Sequence, residues 1–335
     1  MSNSNIKVSV CCFAYNHEKY IRDALEGFVN QKTDFDFEVI VHDDASTDST
    51  AAIIKEYELK YPEIIKPIYQ VENQHCKGIN KLRKFVLPLM KGKYIALCEG
   101  DDYWIDENKL QMQYDYMESH EECSLVAHKA LTYHMDGNYF APYVQRSFST
   151  DEECHISAEE IINKHTLFPT ASMFFRIDYY TRNADFLMSV KGFDYLAKAT
   201  LATEGNVYVI PKVMSVYRLG SAGSWTNRIY KNSNLLEKHL IDAINTLEKL
   251  DEYRGYKYHD AIQKNIDQRK FEIQMKLLNF KALKNDPYKE KYYNLSFKER
   301  VLLHLQKYVP FLYRLYLKCV AVAKKFKYRK YTIKQ

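Results

Sequence analysis

Short apolar runs alternate with amphipathic stretches along the first hundred residues of the chain. Four of these runs have strand length and are followed by turn-forming residues, and they lie at 7–13, 37–41, 64–69 and 94–98. Between them, apolar residues recur at helical spacing and predict helices near 18–31, 48–60 and 79–91. This alternation predicts an α/β fold with a mainly parallel sheet and flanking helices.

The pattern changes in the second half of the chain, where helices dominate. A capping-box sequence from Ser157 to Glu160 predicts the start of a helix. Two further strands are expected at 171–175 and 207–210, and long helices over 230–285. We expect those helices to break near Gly255. The chain is therefore expected to end in a helical region.

Acidic and polar residues follow three of the predicted strands. Ala14-Tyr15-Asn16-His17 follows the run at 7–13, His42-Asp43-Asp44 follows the run at 37–41, and Glu99, Asp101 and Asp102 follow the run at 94–98. Ligands of open parallel sheets bind at the carboxyl ends of strands. Clustered carboxylates repel one another unless a cation or solvent relieves them, and carboxylate oxygens suit Mg²⁺ or Mn²⁺. The alternative is that these are solvated acidic turns without a ligand.

The composition is that of a packed protein without an obvious membrane span. The chain has 335 residues, which is enough for two domains of ordinary size. No stretch approaches the ~18 apolar residues of a membrane-spanning helix, and the first residues lack the features of a signal peptide. The seven cysteines are odd in number and form no Cys-x-x-Cys pair. This usage favours a reducing, cytoplasmic location.

The positive charge is concentrated in the last part of the chain. The net charge is +5, yet residues 298–335 contain eleven Lys or Arg and one acidic residue. Apolar residues at helical spacing run between these basic positions, a pattern typical of a helix on an anionic membrane surface. The alternatives are a helix packed on the rest of the protein or on a second copy. Nucleic-acid binding is disfavoured because no recognised module accompanies the charge.

Several segments together resemble the signature blocks of family 2 glycosyltransferases. They occur in the family's order over about residues 6–228, as Val8-Ser-Val10, Tyr15-Asn16, Val39–Asp48, Glu99–Trp104, Pro169–Arg176, Asp194, Gly205, Val213–Arg218 and Gly223-Ser-Trp225. The resemblance implies the GT-A fold, a Rossmann-like sheet with flanking helices. It also implies a nucleotide-sugar-binding half over 1–105 and an acceptor-binding, catalytic half over 106–228. A helical extension with a basic amphipathic tail would follow over 229–335.

The resemblance implies a set of residues that bind the nucleotide. Asp44 would accept a hydrogen bond from the base, which favours a UDP donor, and Asp43 would support the same loop. The other implied contacts are Ala14, Tyr15, Glu99 and Lys77. For the acidic loop an additional interpretation is a helix N-terminus capped by Ser46 to Asp48.

The resemblance also implies a metal site and a catalytic base. Asp101 occupies the second acid of the family's Asp-x-Asp motif, and Glu99 stands where Asp is more usual at the first. Mn²⁺ or Mg²⁺ would neutralise charge on the leaving diphosphate, with Asp102 in support. Asp194 would be the base of an inverting displacement. Its alternative role is a helix cap, and Glu204 is the nearest rival acid.

Thr170, Ser172, Arg218 and Trp225 are expected on the acceptor side. The predicted function is inverting transfer of a sugar from a nucleotide-sugar, with UDP favoured, to a saccharide or lipid-linked acceptor. The expected context is surface-polysaccharide synthesis on the inner face of the cell membrane. One alternative is a catalytically silent sugar-nucleotide-binding scaffold at the membrane. The other is a nucleotidyltransferase, which is disfavoured because no Gly-rich loop follows the first strand.

Overall fold

The computed structural model describes residues 6–77, 79–143, 154–164, 167–190, 193–221, 232–329 and 331. The chain divides into two compact units. The first comprises Met1–Tyr133 and Pro142–Gly223, and the second comprises His134–Ala141 and Ser224–Gln335. Most of both predicted glycosyltransferase halves lies in the first unit.

The strands of the chain are β1 (Ile6–Ala14), β2 (Asp36–Asp43), β3 (Ile65–Tyr69), β4 (Tyr94–Leu97), β5 (Tyr103–Trp104), β6 (Cys123–His134), β7 (Tyr139–Pro142), β8 (His155–Ile156), β9 (Phe174–Arg176) and β10 (Asn206–Leu219). The helices that accompany them are α1 (Ile21–Val29), α2 (Thr50–Lys60), α3 (Lys109–Ser119), α4 (Ala158–Asn163), α5 (Ile177–Arg182), α6 (Ala184–Ser189) and α7 (Phe193–Ala202).

The main sheet has the strand order β3-β2-β1-β4-β9-β6-β10-β5. The first four strands in this order are parallel, while β9 runs antiparallel to both β4 and β6. The parallel strands are the apolar runs that the sequence predicted, and their side chains are buried because helices cover the sheet. The predicted α/β class is therefore confirmed.

Helix α1 packs its apolar face against the short strand β5. Phe28 is fully buried and meets Trp104 edge-to-face, with the ring centroids 4.8 Å apart. A Cβ on Gly27 would come within 2.8 Å of the Trp104 carbonyl oxygen, so this close approach requires glycine. The packing places the first turn of α1 beside the segment that joins β4 to β5.

A buried lysine lies beneath the same strand. Lys109, at the start of α3, has its Nζ 3.8 Å from the Trp104 ring centroid and donates to Gln113 at 2.7 Å. Burial lowers the pKa of Lys109 to about 7. Its ring contact and its hydrogen bond therefore tie α3 to β5 and to the turn before β9, whose Ser172 carbonyl accepts from Gln113.

Two of the predicted elements differ from the observed ones. The helix expected near 79–91 is a π-helical turn, Leu82–Val86, followed by a 3₁₀ turn, Leu87–Leu89. Pro88 interrupts this segment because it lacks an N–H and its ring crowds the preceding turn. The strand expected at 171–175 begins only at Phe174, after a 3₁₀ turn over Thr170–Ser172.

The second unit contains the helices α8 (Ser233–Tyr253), α9 (His259–Lys276), α10 (Phe280–Leu283), α11 (Lys289–Asn294), α12 (Phe297–Tyr308) and α13 (Pro310–Lys327). The expected break near Gly255 is confirmed, since that residue has φ +58° between α8 and α9. Phe271, Phe280, Leu283 and Tyr292 form a small core. No described helix has the length and apolar character needed to span a membrane.

His42 is a buried histidine near the end of β2. Its ring lies between Phe13 and Phe85, at centroid distances of 5.8 and 5.5 Å, and its Nε2 accepts from the Gln70 amide at 3.1 Å. Burial, together with the positive charge of Lys81, lowers the pKa of His42 to about 4. The imidazole is therefore neutral in the folded protein near neutral pH.

This histidine should make the protein less stable in mild acid. Between the ordinary pKa of 6.5 and the folded pKa of about 4, the unfolded chain binds a proton that the folded chain does not. The free energy of unfolding should therefore fall as pH drops through this window, by about 2 kcal/mol at pH 5. Urea denaturation at pH 7 and pH 5 should show a smaller fall in His42→Gln. The exposed control His155→Gln should behave like the wild type, and equal falls in all three proteins would contradict the prediction.

Candidate active site

The carboxyl end of β1 holds both acidic segments of the chain. The Phe13 carbonyl accepts from the Gly100 N–H at 2.8 Å, and the Ala14 carbonyl accepts from the Asp44 N–H at 2.9 Å. A Cβ on Gly100 would come within 2.8 Å of the Ile21 side chain, so the residue between Glu99 and Asp101 must be small. The two acidic clusters predicted from the sequence therefore meet at one edge of the sheet.

The loops after β1 and β2 are tied to each other. Asn16 has φ 55° and donates its N–H to Ser46 Oγ at 2.9 Å, while its side-chain oxygen accepts from the Thr47 N–H at 2.8 Å. Ser49 is the N-cap of α2 and makes no side-chain cap. The predicted capping by Ser46 and Thr47 is therefore wrong, because their polar groups bond to the neighbouring loop. Asp48 does accept from the Thr50 N–H, at 2.9 Å.

The Asp44 carboxylate is buried and hydrogen-bonded from three sides. It accepts from the Gln74 N–H at 2.7 Å, the His75 N–H at 3.1 Å and Lys81 Nζ at 3.2 Å. Burial acts to raise the pKa of Asp44, but the N–H donors and the Lys81 charge outweigh it and lower the pKa. Asp44 therefore stays ionised and holds the turn after β3 against β2.

The other residues predicted to bind the nucleotide differ in their surroundings. Asp43 accepts from the Ser46 hydroxyl and N–H, and burial raises the pKa of its carboxyl. Tyr15 is 43% exposed at the same edge. Lys77 forms an exposed ion pair with Glu72. The cation that contacts Asp44 is Lys81, four residues further along the chain.

The segment after β4 carries the predicted metal ligand. Asp101 is half-buried and accepts from the Ser221 hydroxyl at 2.7 Å. Asp102 is buried and accepts from the Arg218 N–H at 2.8 Å. Burial and the charges of Asp101 and Glu99 raise the pKa of Asp102 well above its ordinary range. The buried Asp102 carboxyl therefore supports the backbone of β10, and Glu99 and Asp101 are the more accessible acids.

Arg218, on β10, braces this acidic segment. Its guanidinium donates to the Asp101 carbonyl at 2.9 Å and pairs with Asp23 on α1. It lies between the rings of Tyr20 and Tyr103, 5.4 and 4.2 Å from their centroids. The side chain is 7% exposed, so its donors are committed to the protein. This placement makes Arg218 a positioning residue for the acidic segment.

The residues at this edge are chemically suited to a hard divalent cation. Glu99 and Asp101 offer carboxylate oxygens, which Mg²⁺ and Mn²⁺ prefer. Within the described part of the chain, no three His, Cys, Asp or Glu side chains gather as a complete metal site. A cation held by one or two carboxylates would complete its coordination with substrate phosphate and water, as Mg²⁺ commonly does.

The remaining predicted residues lie further along the first unit or outside the described chain. Asp194 is the second residue of α7, but its side chain lies outside the described residues. Ser172 is buried and donates to the Pro169 carbonyl at 2.7 Å, so it shapes the turn before β9, where Thr170 is half-buried. Trp225 lies outside the described residues.

Sequence reasoning gave no structural role to three residues that organise this edge. Lys81 lies in an irregular helical turn, and the sequence offered no reason to prefer it over Lys77. Asp23 lies on the exposed part of α1 in sequence terms, yet it pairs with Arg218. Asn16 is the one with a detectable signal, because Asn directly after a strand is suited to a left-handed turn.

Loss of the Arg218 brace should destabilise the first unit. We expect Arg218→Gln to lower the free energy of unfolding by about 2–3 kcal/mol, because the guanidinium is buried and its carbonyl and carboxylate partners would lose charged donors. Urea denaturation followed by tryptophan fluorescence measures the change. The matched control is Arg22→Gln, which breaks an exposed pair with Glu56 and should change little. Equal effects of the two substitutions would contradict the bracing role.

Comparison with known proteins identifies the family of the chain. The chain matches glycosyl transferase family 2 over residues 9–179. An uncharacterized Mycobacterium tuberculosis protein, Rv1520, is 33% identical over 256 residues, which cover 76% of this chain and 71% of the relative.

Two other proteins extend the comparison. The Escherichia coli protein WfaP, named a UDP-Glc:alpha-D-GlcNAc-diphosphoundecaprenol beta-1,3-glucosyltransferase, is 37% identical over 112 residues, covering 33% of this chain and 41% of WfaP. The Pyrobaculum calidifontis mannosyltransferase PcManGT, solved with GDP-Man and Mn²⁺, has a TM-score of 0.54 at 17% identity, covering 98% of this chain and 89% of PcManGT. The family match and the shared fold confirm the resemblance in the sequence: the chain belongs to glycosyl transferase family 2 and is a glycosyltransferase with the GT-A fold.

Proposed function

We propose that this protein transfers a sugar from a UDP-sugar to a saccharide or lipid-linked acceptor in the synthesis of a surface polysaccharide. The transfer inverts the anomeric centre of the sugar. The observation that carries the proposal is the pair of acidic segments held by the Phe13 and Ala14 carbonyls at the end of β1. One segment contains Asp44 and the other contains Asp101. The residue proposed to bind the nucleotide and the residue proposed to bind the cation therefore lie on neighbouring segments of this edge.

The donor side is assigned to Asp44 and the turn it holds. A carboxylate has about four lone-pair sites, and three donors already approach Asp44, so one acceptor site remains for the imide N–H of uracil. Asp44 has no exposed surface, so a base reaches it only when the turn at Gln74 and His75 moves. Tyr15 is exposed directly after β1 and would flank the base. WfaP, whose name gives UDP-Glc as donor, supports the choice of UDP.

The cation side is assigned to Asp101, with Glu99 in support. Mn²⁺ or Mg²⁺ bound there with the diphosphate would stabilise the charge that develops on the leaving group. The arrangement of Asp102 and Arg218 beneath these residues keeps the carboxylates oriented. PcManGT, which shares the fold, was solved with Mn²⁺, in agreement with this assignment.

The transfer itself is assigned to Asp194. The acceptor hydroxyl oxygen forms the new bond to the anomeric carbon, the bond to the phosphate oxygen breaks with its electron pair on UDP, and the acceptor proton passes to Asp194. The position of Asp194 in the first turn of α7 follows the family's acidic residue. Thr170 and Trp225 are assigned to the acceptor side. The undecaprenol-linked acceptor in the name of WfaP supports a lipid-linked acceptor.

Donor binding and chemistry should separate between the acidic residues. Asp101→Asn should lower transfer by about a hundredfold or more, because charge compensation at the leaving group is lost. Asp44→Asn should weaken UDP binding, whereas Asp194→Asn should abolish transfer and leave UDP affinity unchanged. Donor turnover over a panel of sugar nucleotides with Mn²⁺, and calorimetric titration with UDP, measure these effects.

The exposed acid Asp115 provides the control, and Asp115→Asn should match the wild type in both assays. Full activity in excess EDTA would remove the metal from the proposal. An Asp194→Asn protein that loses UDP binding as severely as Asp44→Asn would show that Asp194 is not simply the base. Absence of donor turnover in the wild type over the whole panel would favour a silent scaffold.

The second unit supports a place on the cytoplasmic face of a membrane. Helix α13 has no buried side chain, and its apolar residues include Phe311 and Phe326, which are 72% and 71% exposed. Lys324, Lys325 and Lys327 lie in its last turn. Exposed apolar side chains flanked by basic residues match an anionic bilayer surface, where each basic residue contributes roughly 1 kcal/mol.

Removing the apolar side chains of α13 should weaken membrane binding. The wild type should sediment with vesicles of phosphatidylcholine and phosphatidylglycerol, and Phe311→Ser with Leu315→Ser should lower this binding by at least about tenfold. The control Leu59→Ser removes an exposed apolar side chain of α2 and should have no effect. Failure of the wild type to bind these vesicles at low salt would end the membrane proposal. A concentration-dependent dimer in sedimentation velocity, lost in the double variant, would instead indicate packing on a second copy.

A further inference from the structure

A pocket of about 540 Å³ lies in the second unit, along one face of α12. The side chains that α12 contributes to it recur at intervals of three and four residues, so they form a single helical face: Phe297, Arg300, Val301, His304, Leu305 and Tyr308. The opposite wall consists of Tyr292 and Tyr293 on α11 and of Lys284 after α10. All of these residues belong to the second unit, whereas the acidic segments at the end of β1 belong to the first.

The charge of the pocket has one sign. Lys284 and Arg300 line it, and no carboxylate does. Arg300 Nε is buried and has no hydrogen-bond partner in the described structure, and neither cation forms an ion pair with a described residue. Lys284 and Arg300 instead approach the rings of Phe280 and Tyr293, at 5.6 and 5.9 Å. Two cations without acidic partners favour an anionic ligand.

The rest of the lining is aromatic and apolar. Tyr292 belongs to the small core of this unit and forms a rigid wall, and His304 packs on Phe280 with ring centroids 4.3 Å apart. Phe297 and Tyr308 stand at the two ends of the α12 face and are 78% and 65% exposed. A fully hydrated inorganic anion would leave these rings in water. The lining therefore fits a ligand that combines an anionic group with an apolar body.

We propose that this pocket binds one anionic membrane lipid, with its phosphate at Lys284 and Arg300 and its first acyl carbons against Phe297 and Tyr308. Charge complementarity selects the phosphate. Continuity with the exposed apolar side chains of α13 selects a lipid source, because the pocket lining extends to Val309, immediately before that helix. The inference adds a discrete lipid site to the membrane association proposed above, and it is independent of the assignments at the sugar-nucleotide edge.

The test uses the full-length protein and a monomeric lipid. Dihexanoyl phosphatidylglycerol, below its critical micelle concentration, should bind saturably with one site per chain in calorimetric titration. Dihexanoyl phosphatidylcholine and inorganic phosphate should bind much more weakly. The double variant Lys284→Gln, Arg300→Gln should weaken the phosphatidylglycerol affinity on the order of tenfold, the scale of one lost charge-assisted hydrogen bond.

The matched control removes the same charge from α13. Lys318→Gln with Lys325→Gln should leave binding of the monomeric lipid unchanged and reduce binding to phosphatidylglycerol vesicles. Val301→Phe narrows the pocket and keeps its charge, and it should also weaken binding of the monomeric lipid. Circular dichroism checks that each variant is folded. If the Lys284→Gln, Arg300→Gln variant is not folded, the affinity of Val301→Phe for the monomeric lipid decides the test.

Four outcomes would overturn the inference. Inorganic phosphate binding as tightly as the lipid would indicate a simple anion site. Equal losses in the pocket and α13 variants would indicate diffuse electrostatic attraction. A dimer whose formation depends on Phe297 would indicate that a second copy covers the pocket, and unsaturable lipid binding would exclude a discrete site. Donor turnover, measured on the same variants, should remain at the wild-type level, so failure here is distinct from failure of the proposed transfer reaction.

Discussion

The active edge of this glycosyltransferase depends on two neighbouring backbone carbonyls, those of Phe13 and Ala14. One accepts from Gly100 and the other from Asp44, so the end of one strand sets the positions of both acidic segments. Backbone hydrogen bonds of this kind need close approach, which the absence of a side chain at Gly100 allows. Both bonds join backbone atoms, so the position of each acidic segment does not depend on a flexible side chain.

Carboxylates gathered at one edge repel one another, and the protein relieves that repulsion in three ways. Backbone N–H groups and the Lys81 ammonium group compensate the negative charge of the Asp44 carboxylate. They lower its pKa, so Asp44 remains ionised. The Arg218 guanidinium supports the segment of Asp101 from below. Burial and the charges of Asp101 and Glu99 raise the pKa of Asp102, which favours its uncharged form. Glu99 and Asp101 remain the more accessible carboxylates of the segment after β4.

The second unit follows a different physical rule. The core around Phe280 is small, although α8 and α9 bury further apolar side chains such as Leu247 and Ile262. In contrast, α12 and α13 have no buried residue among those described. Tyr328, just after α13, is an exception at the helix end, because it packs with Tyr139 and Ala141. Exposed apolar side chains beside basic residues are the feature on which the proposed membrane contact depends.

Local sequence determined the parallel half of the sheet, because buried strands and amphipathic helices leave periodic patterns in a short window. It also determined the acidic segments, since turns after strands bring their residues to one edge in any open parallel sheet. The prediction was wrong near Pro88, where the helical spacing of apolar residues concealed an interrupted turn. It was also wrong for Ser46 and Thr47, which do not cap α2. It did not indicate β5 or the buried Lys109, because neither has a periodic signal.

Only the tertiary structure decided which basic side chains pair with the acidic side chains. Lys81 contacts Asp44 over a separation of 37 residues, although Lys77 is equally basic, and Arg218 reaches Asp23 across 195 residues. Such choices depend on how helices and strands pack, and spacing along the chain carries no information about them. The sequence by itself therefore determined the family, the fold class and the chemical type of the edge. The three-dimensional packing determined which carboxylates are buried, in which direction their pKa values shift and which side chains hold them in place.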